Sequence, residues 1–172
     1  YLSSAKIDLL EISNGAIDFD QEIKDKNEEI IAENISLKLY NFLLDSSSFV
    51  RSQQFLFSEN VDFQLKDYDF ILPNEINEIT VGLMRFSSIK RELIIDNIRM
   101  KALGKDTIRN RLINRKKSSY LEFEIPSIEM RNADILRALR NQNILVGNII
   151  LNSPKIYSYS FPDLKNKNVI PP

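Results

Sequence analysis

Glu122 and Glu124 sit two residues apart in an alternating run, so an extended strand places both carboxylates on one face, about 7 Å apart. A carboxylate-pair hydrolase uses such a spacing. Alternation along a half-exposed strand produces the same pair without chemistry, and that is the reading adopted. Asp18, Asp20, Glu22, Asp25, Glu28 and Glu29 resemble a calcium loop in acidity. The central Gly of such a loop is missing and Lys24 and Lys26 enter the cage, so a polar hairpin extension accounts for them. Lys105, Arg109, Arg111, Arg115, Lys116 and Lys117, with the single acid Asp106, could meet phosphate or anionic headgroups. No aromatic residue interleaves before Tyr120, which fits a solvated loop or helix face.

Absences narrow the chemistry further. None of the 172 residues is Cys or His, which removes disulfides, thiolate metal sites, Cys nucleophiles, the usual general base and every Ser-His-Asp arrangement. Gly15, Gly82, Gly104 and Gly147 are too dispersed for a dinucleotide fingerprint or a P-loop, so no nucleotide partner is expected. With 23 basic and 24 acidic residues, no charge excess argues for nucleic acid. The expectation is a protein that is not an enzyme and carries no cofactor and no metal.

The elements that position these residues are mostly strands. A content of 43% apolar and 27% charged residues is ordinary for a folded chain. In Lys6–Ile12 and Ala16–Phe19, joined through Asn14-Gly15, a type I′ turn would set Ile12 opposite Ile17 and Leu10 opposite Phe19 on one apolar face. The same arithmetic about Lys66-Asp67 puts Val61, Phe63 and Leu65 on a face with Tyr68, Phe70 and Leu72. A third run, Leu121, Phe123 and Ile125, reaches Pro126 and resumes as Ile128 and Met130 with its apolar parity shifted, which suggests an edge strand or a bulge.

Further β-rich runs cover 35–40, 79–86, 93–100, 145–151 and 155–159, for about ten strands in all. Turn residues separate them at Pro73-Asn74, Ser87-Ser88 and Asn152-Ser153-Pro154. The spacing of Ile135, Leu136 and Leu139 predicts a short helix near 133–141, and 105–117 holds another short helix or a loop. A loose echo links residues 34–39, 94–100 and 125–130, each an apolar-polar beat about a small polar residue. No apolar run approaches the roughly 18 residues that span a bilayer. The chain begins at Tyr1 and reads as one β-rich segment, 1–172, of something longer.

A sheet with one apolar face must cover it with a second sheet, helices or a ligand. Predicted helix is too scarce here. The expected fold is therefore all-β with minor helix: a curved antiparallel β-groove of stacked hairpin units, or a β-sandwich.

The succession Ile7–Phe19, followed by Ile35–Asp45 and continued at 63–70, 94–100, 125–135 and 149–157, resembles the recurring unit of AsmA-like proteins, in their Bacteroidetes-type form. These large Gram-negative envelope proteins are related to the bridge-like lipid transfer group. The resemblance implies a repeat-built β-groove, polar outside and apolar inside, along which phospholipid acyl chains slide between membranes in outer-membrane biogenesis. It implies a periplasmic section, anchored through a membrane segment outside this stretch, whose partners are phospholipid and other segments of the same chain or envelope proteins. Alternation nominates the lipid-facing positions: Leu10, Ile12, Ile17, Phe19, Val61, Phe63, Leu65, Phe70, Leu121, Phe123 and Ile125. The alternative is a β-sandwich or solenoid interaction module of an envelope assembly.

Overall fold

β-Branched and aromatic residues recur over runs longer than a single hairpin arm, and eight strands result. They are β1 (Ser4–Ile23), β2 (Lys26–Asp45), β3 (Asn60–Ile71), β4 (Asn77–Ser87), β5 (Glu92–Ala102), β6 (Ser119–Arg131), β7 (Asn148–Asn152) and β8 (Lys155–Ser160). The computed structural model describes residues 4–23, 26–45, 56–72, 76–104, 108–134, 137 and 145–165. Every neighbouring pair is antiparallel, in the order β1-β2-β3-β4-β5-β6-β7, with β8 also beside β6. The fold is all-β with small helices, as the sequence implies, and the sheet is open and uncurled. No second sheet faces it among the described residues, so the sandwich is not the form taken.

Both expected hairpins are absent. β1 runs straight through Asn14-Gly15 and β3 straight through Lys66-Asp67. A type I′ turn needs positive φ at two successive residues. Here only Asn14 (φ 53) and Asp67 (φ 51) adopt it, and Gly15 and Lys66 do not. Ile12 therefore pairs with Leu37, Leu10 with Leu39, Ile17 with Ala32 and Phe19 with Ile30. Two strands fewer than expected is largely the result.

The left-handed residues line up across the sheet. Gly82 of β4 lies between Asp67 of β3 and Asn97 (φ 56) of β5, at the level skipped by both ladders. On β6 that level is Pro126, and beyond it Ser153 (φ 46) separates β7 from β8. Asn34 (φ 58) and Asn14-Gly15 bring β2 and β1 close to the same line. Pro126 is thus neither on an edge nor at a register shift: β6 is paired on both sides, and the missing N–H falls where no ladder bond is made.

A left-handed residue turns the strand about its axis, so side chains three apart, not two, share a face. Contacts at Asn41 (φ 53) demonstrate this, because Leu39 and Phe42 on either side of it enter one apolar cluster. The apolar phase shifts in the same way from Leu65 to Tyr68 and from Ile95 to Ile98, past Asp67 and Asn97, and it shifts at the same level from Val81 to Met84 and from Ile125 to Ile128, where Gly82 and Pro126 stand without positive φ. The loose echo in the sequence is this line.

Two cores form. One gathers Leu39, Val61 and Phe86 with Leu10, Leu37, Phe42, Phe63 and Leu93. The other plugs one end of the sheet, where helix α1 (Ile108–Asn114) buries Ile108 and Leu112 against Ile76, Ala102 and Leu164. Leu164 belongs to the single helical turn α2 (Pro162–Lys165). The helix expected near 133–141 falls largely outside the described residues; Arg137 is helical there, its N–H donating to Asp134 Oδ1 at 3.0 Å. Turn residues Pro73-Asn74 also lie outside them, whereas the turn after Ser87 is present between β4 and β5.

Candidate functional site

The candidate carboxylates meet neighbouring strands. Glu122 Oε1 accepts the Ala102 N–H at 3.0 Å, which satisfies the backbone donor at the end of β5. Glu124 faces Arg99 across the β5–β6 ladder. In the acidic stretch, the side chains of residues 18–31 lie outside the described residues. No group of three or more His, Cys, Asp or Glu suited to a metal ion occurs among the described residues.

The nominated apolar positions divide into a core and an open margin. Leu10, Val61 and Phe63 converge on the cluster around Leu39 and Phe86. Val61 (2% exposed) and Leu65 (7%) are buried, so as folded they are core, closed to an incoming acyl chain. Phe123 pairs with Met100 on one side and Ile156 on the other, and Ile125 pairs with Ile98; both are half-buried. Ile12, Ile17, Phe70 and Leu121 stay exposed, and Phe70 stacks on Tyr68 at 5.8 Å. Phe19 is fixed only by its backbone register, its side chain lying outside the described residues.

The margin continues at positions that alternation did not nominate. β7 and β8 form the outer edge beside β6, and Ile149, Leu151 and Ile156 are more than half exposed there, Ile156 at 72%. Across Asn148–Ser160 the only charged residue is Lys155. Lys155 is therefore the single charge that guards this edge. The parity shift at Pro126 was the visible trace of the break that lets β7 and β8 follow β6 end to end.

Polar residues of β1–β5 pair with one another. Lys38 meets Glu11 at 3.1 Å, Arg85 meets Asp96 at 2.9 Å, and Tyr40 donates to Asp62 Oδ2 at 2.9 Å. The hydrogen bond that Lys38 donates to Glu11, followed by the Glu11 charge, raises the Lys38 pKa above 10.5. The bond to Asp62, followed by desolvation, raises that of Tyr40 above 10.0. Such pairs hold protons and fix side-chain geometry across neighbouring strands.

No helix among the described residues is long and apolar enough to cross a membrane. No family model matches the chain, and no curated protein or solved structure matches it significantly.

Proposed function

We propose that this chain is a non-enzymatic section of a periplasmic AsmA-like envelope protein that holds phospholipid acyl chains against the apolar face of an open β-sheet. The observation that carries the reading is the transverse line on which left-handed Asp67 and Asn97 alternate with Gly82 and Pro126. It shifts the apolar phase of successive strands together, so one face stays apolar through both halves of the sheet and is left exposed at Ile17, Phe70, Leu121 and Ile156. An apolar surface exposed in this way marks a site for lipid or partner. Acyl chains need only such a surface, and no covalent step is involved.

Native mass spectrometry of gently purified protein tests this. Phospholipid should co-purify, and the exposed-site variants Leu121→Lys and Ile156→Lys should lose it while keeping the β circular dichroism signal. Reproducible absence of lipid from the unaltered protein would defeat the proposal.

A second reading is favoured by one specific observation, the exposed β7–β8 edge, whose one charged residue is Lys155. An edge of this kind accepts an added strand from a protein partner. Stoichiometric partner capture that Ile150→Pro abolishes, without lipid, supports that reading instead.

A further inference from the structure

Resting on the lipid reading above, we infer that the pocket where α1 meets the start of β6 seats the phosphate of an anionic phospholipid whose acyl chain runs onto the apolar face. This pocket has a volume of about 550 Å³ and is amphiphilic in its lining. Lys116, Lys117, Ser118 and Ser119 supply ammonium and hydroxyl donors on one side, and Met100 and Leu121 supply an apolar wall on the other.

The basic side is held rigidly by the core beneath it. Leu112 is fully buried in the end plug, and the helix closes on it: Lys117 N–H donates to Leu112 O at 2.9 Å and Lys116 N–H to Ile113 O at 3.0 Å. Lys116 takes φ 53 in that turn, and both lysines project into solvent. No Asp or Glu lines the pocket. Among the described residues, Asp163 is engaged with Arg109 and Glu122 with the Ala102 N–H. Neither Lys116 nor Lys117 has an ion-pair partner among the described residues, so their charge is available to an anion.

The apolar side leads away from this rim along the sheet. Met100 pairs with Phe123, which pairs with the exposed Ile156, and Leu121 itself is half exposed. A free phosphate would use the lysines and serines alone. A phospholipid uses both walls at once, because the lysines take the headgroup where the apolar face begins.

The test compares the unaltered protein with Lys116→Gln/Lys117→Gln and with Leu121→Gln, all exposed positions that leave the core intact. Binding is read by flotation with phosphatidylglycerol vesicles, with phosphatidylcholine vesicles, and with phosphatidylglycerol vesicles in the presence of inorganic phosphate. The double variant should bind phosphatidylglycerol roughly 20- to 30-fold more weakly, with little change on phosphatidylcholine. Leu121→Gln should weaken binding to both. If the double variant loads lipid and keeps the same vesicle preference, the headgroup assignment falls and the lipid reading stands. If the unaltered protein binds no lipid, both fall. Saturation of the pocket by inorganic phosphate with no loss of vesicle binding would reassign it as a soluble-anion site and overturn the inference.

Discussion

Asn97 sits opposite Gly82 across the β4–β5 ladder, and a Cβ added at residue 82 would lie 3.0 Å from the Asn97 Cβ. The left-handed turn of Asn97 brings its side chain to where only hydrogen is tolerated on β4. Gly147 and Asn132 repeat the relationship between the segment preceding β7 and the end of β6, also at 3.0 Å. Close approach and left-handed backbone are thus used together, twice, in one sheet.

Asn97→Gly should leave stability within about 0.5 kcal/mol, since Gly takes positive φ without steric cost. Asn97→Val should lower it by roughly 1–2 kcal/mol or more, because a β-branched residue resists this conformation. Urea denaturation of the two variants checks the pair; equal losses would show that the side chain, not the backbone turn, is what matters.

Gly82→Ala should be destabilising by about 1–3 kcal/mol through crowding against Asn97. Combining it with Asn97→Gly removes the Cβ it would strike and should recover much of the loss. A double-mutant cycle measures the coupling.

Leu112 anchors α1 with no exposed surface. Leu112→Ala should cost about 2–5 kcal/mol by leaving a cavity in the end plug. Thermal unfolding followed by circular dichroism reads the shift, and the basic turn at Lys116 should lose its order with it.

Tyr40→Phe removes the donor to Asp62 Oδ2 while Asp62 Oδ1 is buried and has no hydrogen-bond partner. The carboxylate is then left without its phenol, and stability should fall by roughly 1–2 kcal/mol. Asp62→Asn with Tyr40→Phe together should cost less than the sum of the two, because the uncompensated charge is removed as well.

Tyr40, Tyr120 and Tyr159 all have pKa values raised above 10.0, through the bond to Asp62 in the first case and through desolvation first in the other two. A raised folded-state value means that the stabilisation is fully present below pH 10.0 and is lost as pH rises through the folded values. Lys38, raised above 10.5 by Glu11, acts in the same direction. Tyrosinate absorbance should therefore develop later in the folded protein than in urea, and the urea midpoint should drop above pH 10.0 while staying level from neutral pH up to it.

Much of the fold is legible in single residues. Alternation at Val61–Leu65 and Leu121–Ile125 marks real strands, and the stretch 105–117 contains the short helix. The misreadings have one cause. Asn14-Gly15 and Lys66-Asp67 look like hairpin turns because a shift of apolar parity is the same in sequence whether the chain reverses or continues past one left-handed residue. The shift at Pro126, read as an edge or bulge, lies on the same transverse level, although β6 has no left-handed residue there. Only partners decide: Asn97 is explained by Gly82, and Pro126 by the unpaired level on both of its neighbours.

For the candidate surface the division is similar. Alternation alone identified Leu121, Phe123 and Ile125 as one face, yet it could not separate Val61 and Leu65, which are buried, from Ile12 and Ile17, which are exposed. Burial depends on what packs across strands far apart in sequence. By itself the sequence determined an antiparallel β protein with one apolar face and with none of the His or Cys chemistry of common active sites. Tertiary structure alone decided that the strands run long, that left-handed Asp67 and Asn97 share one transverse line with Gly82 and Pro126, and that the basic turn after α1 lies at the end of the sheet. Backbone torsions and inter-strand register set those outcomes, and neither is encoded in the periodicity of a single strand.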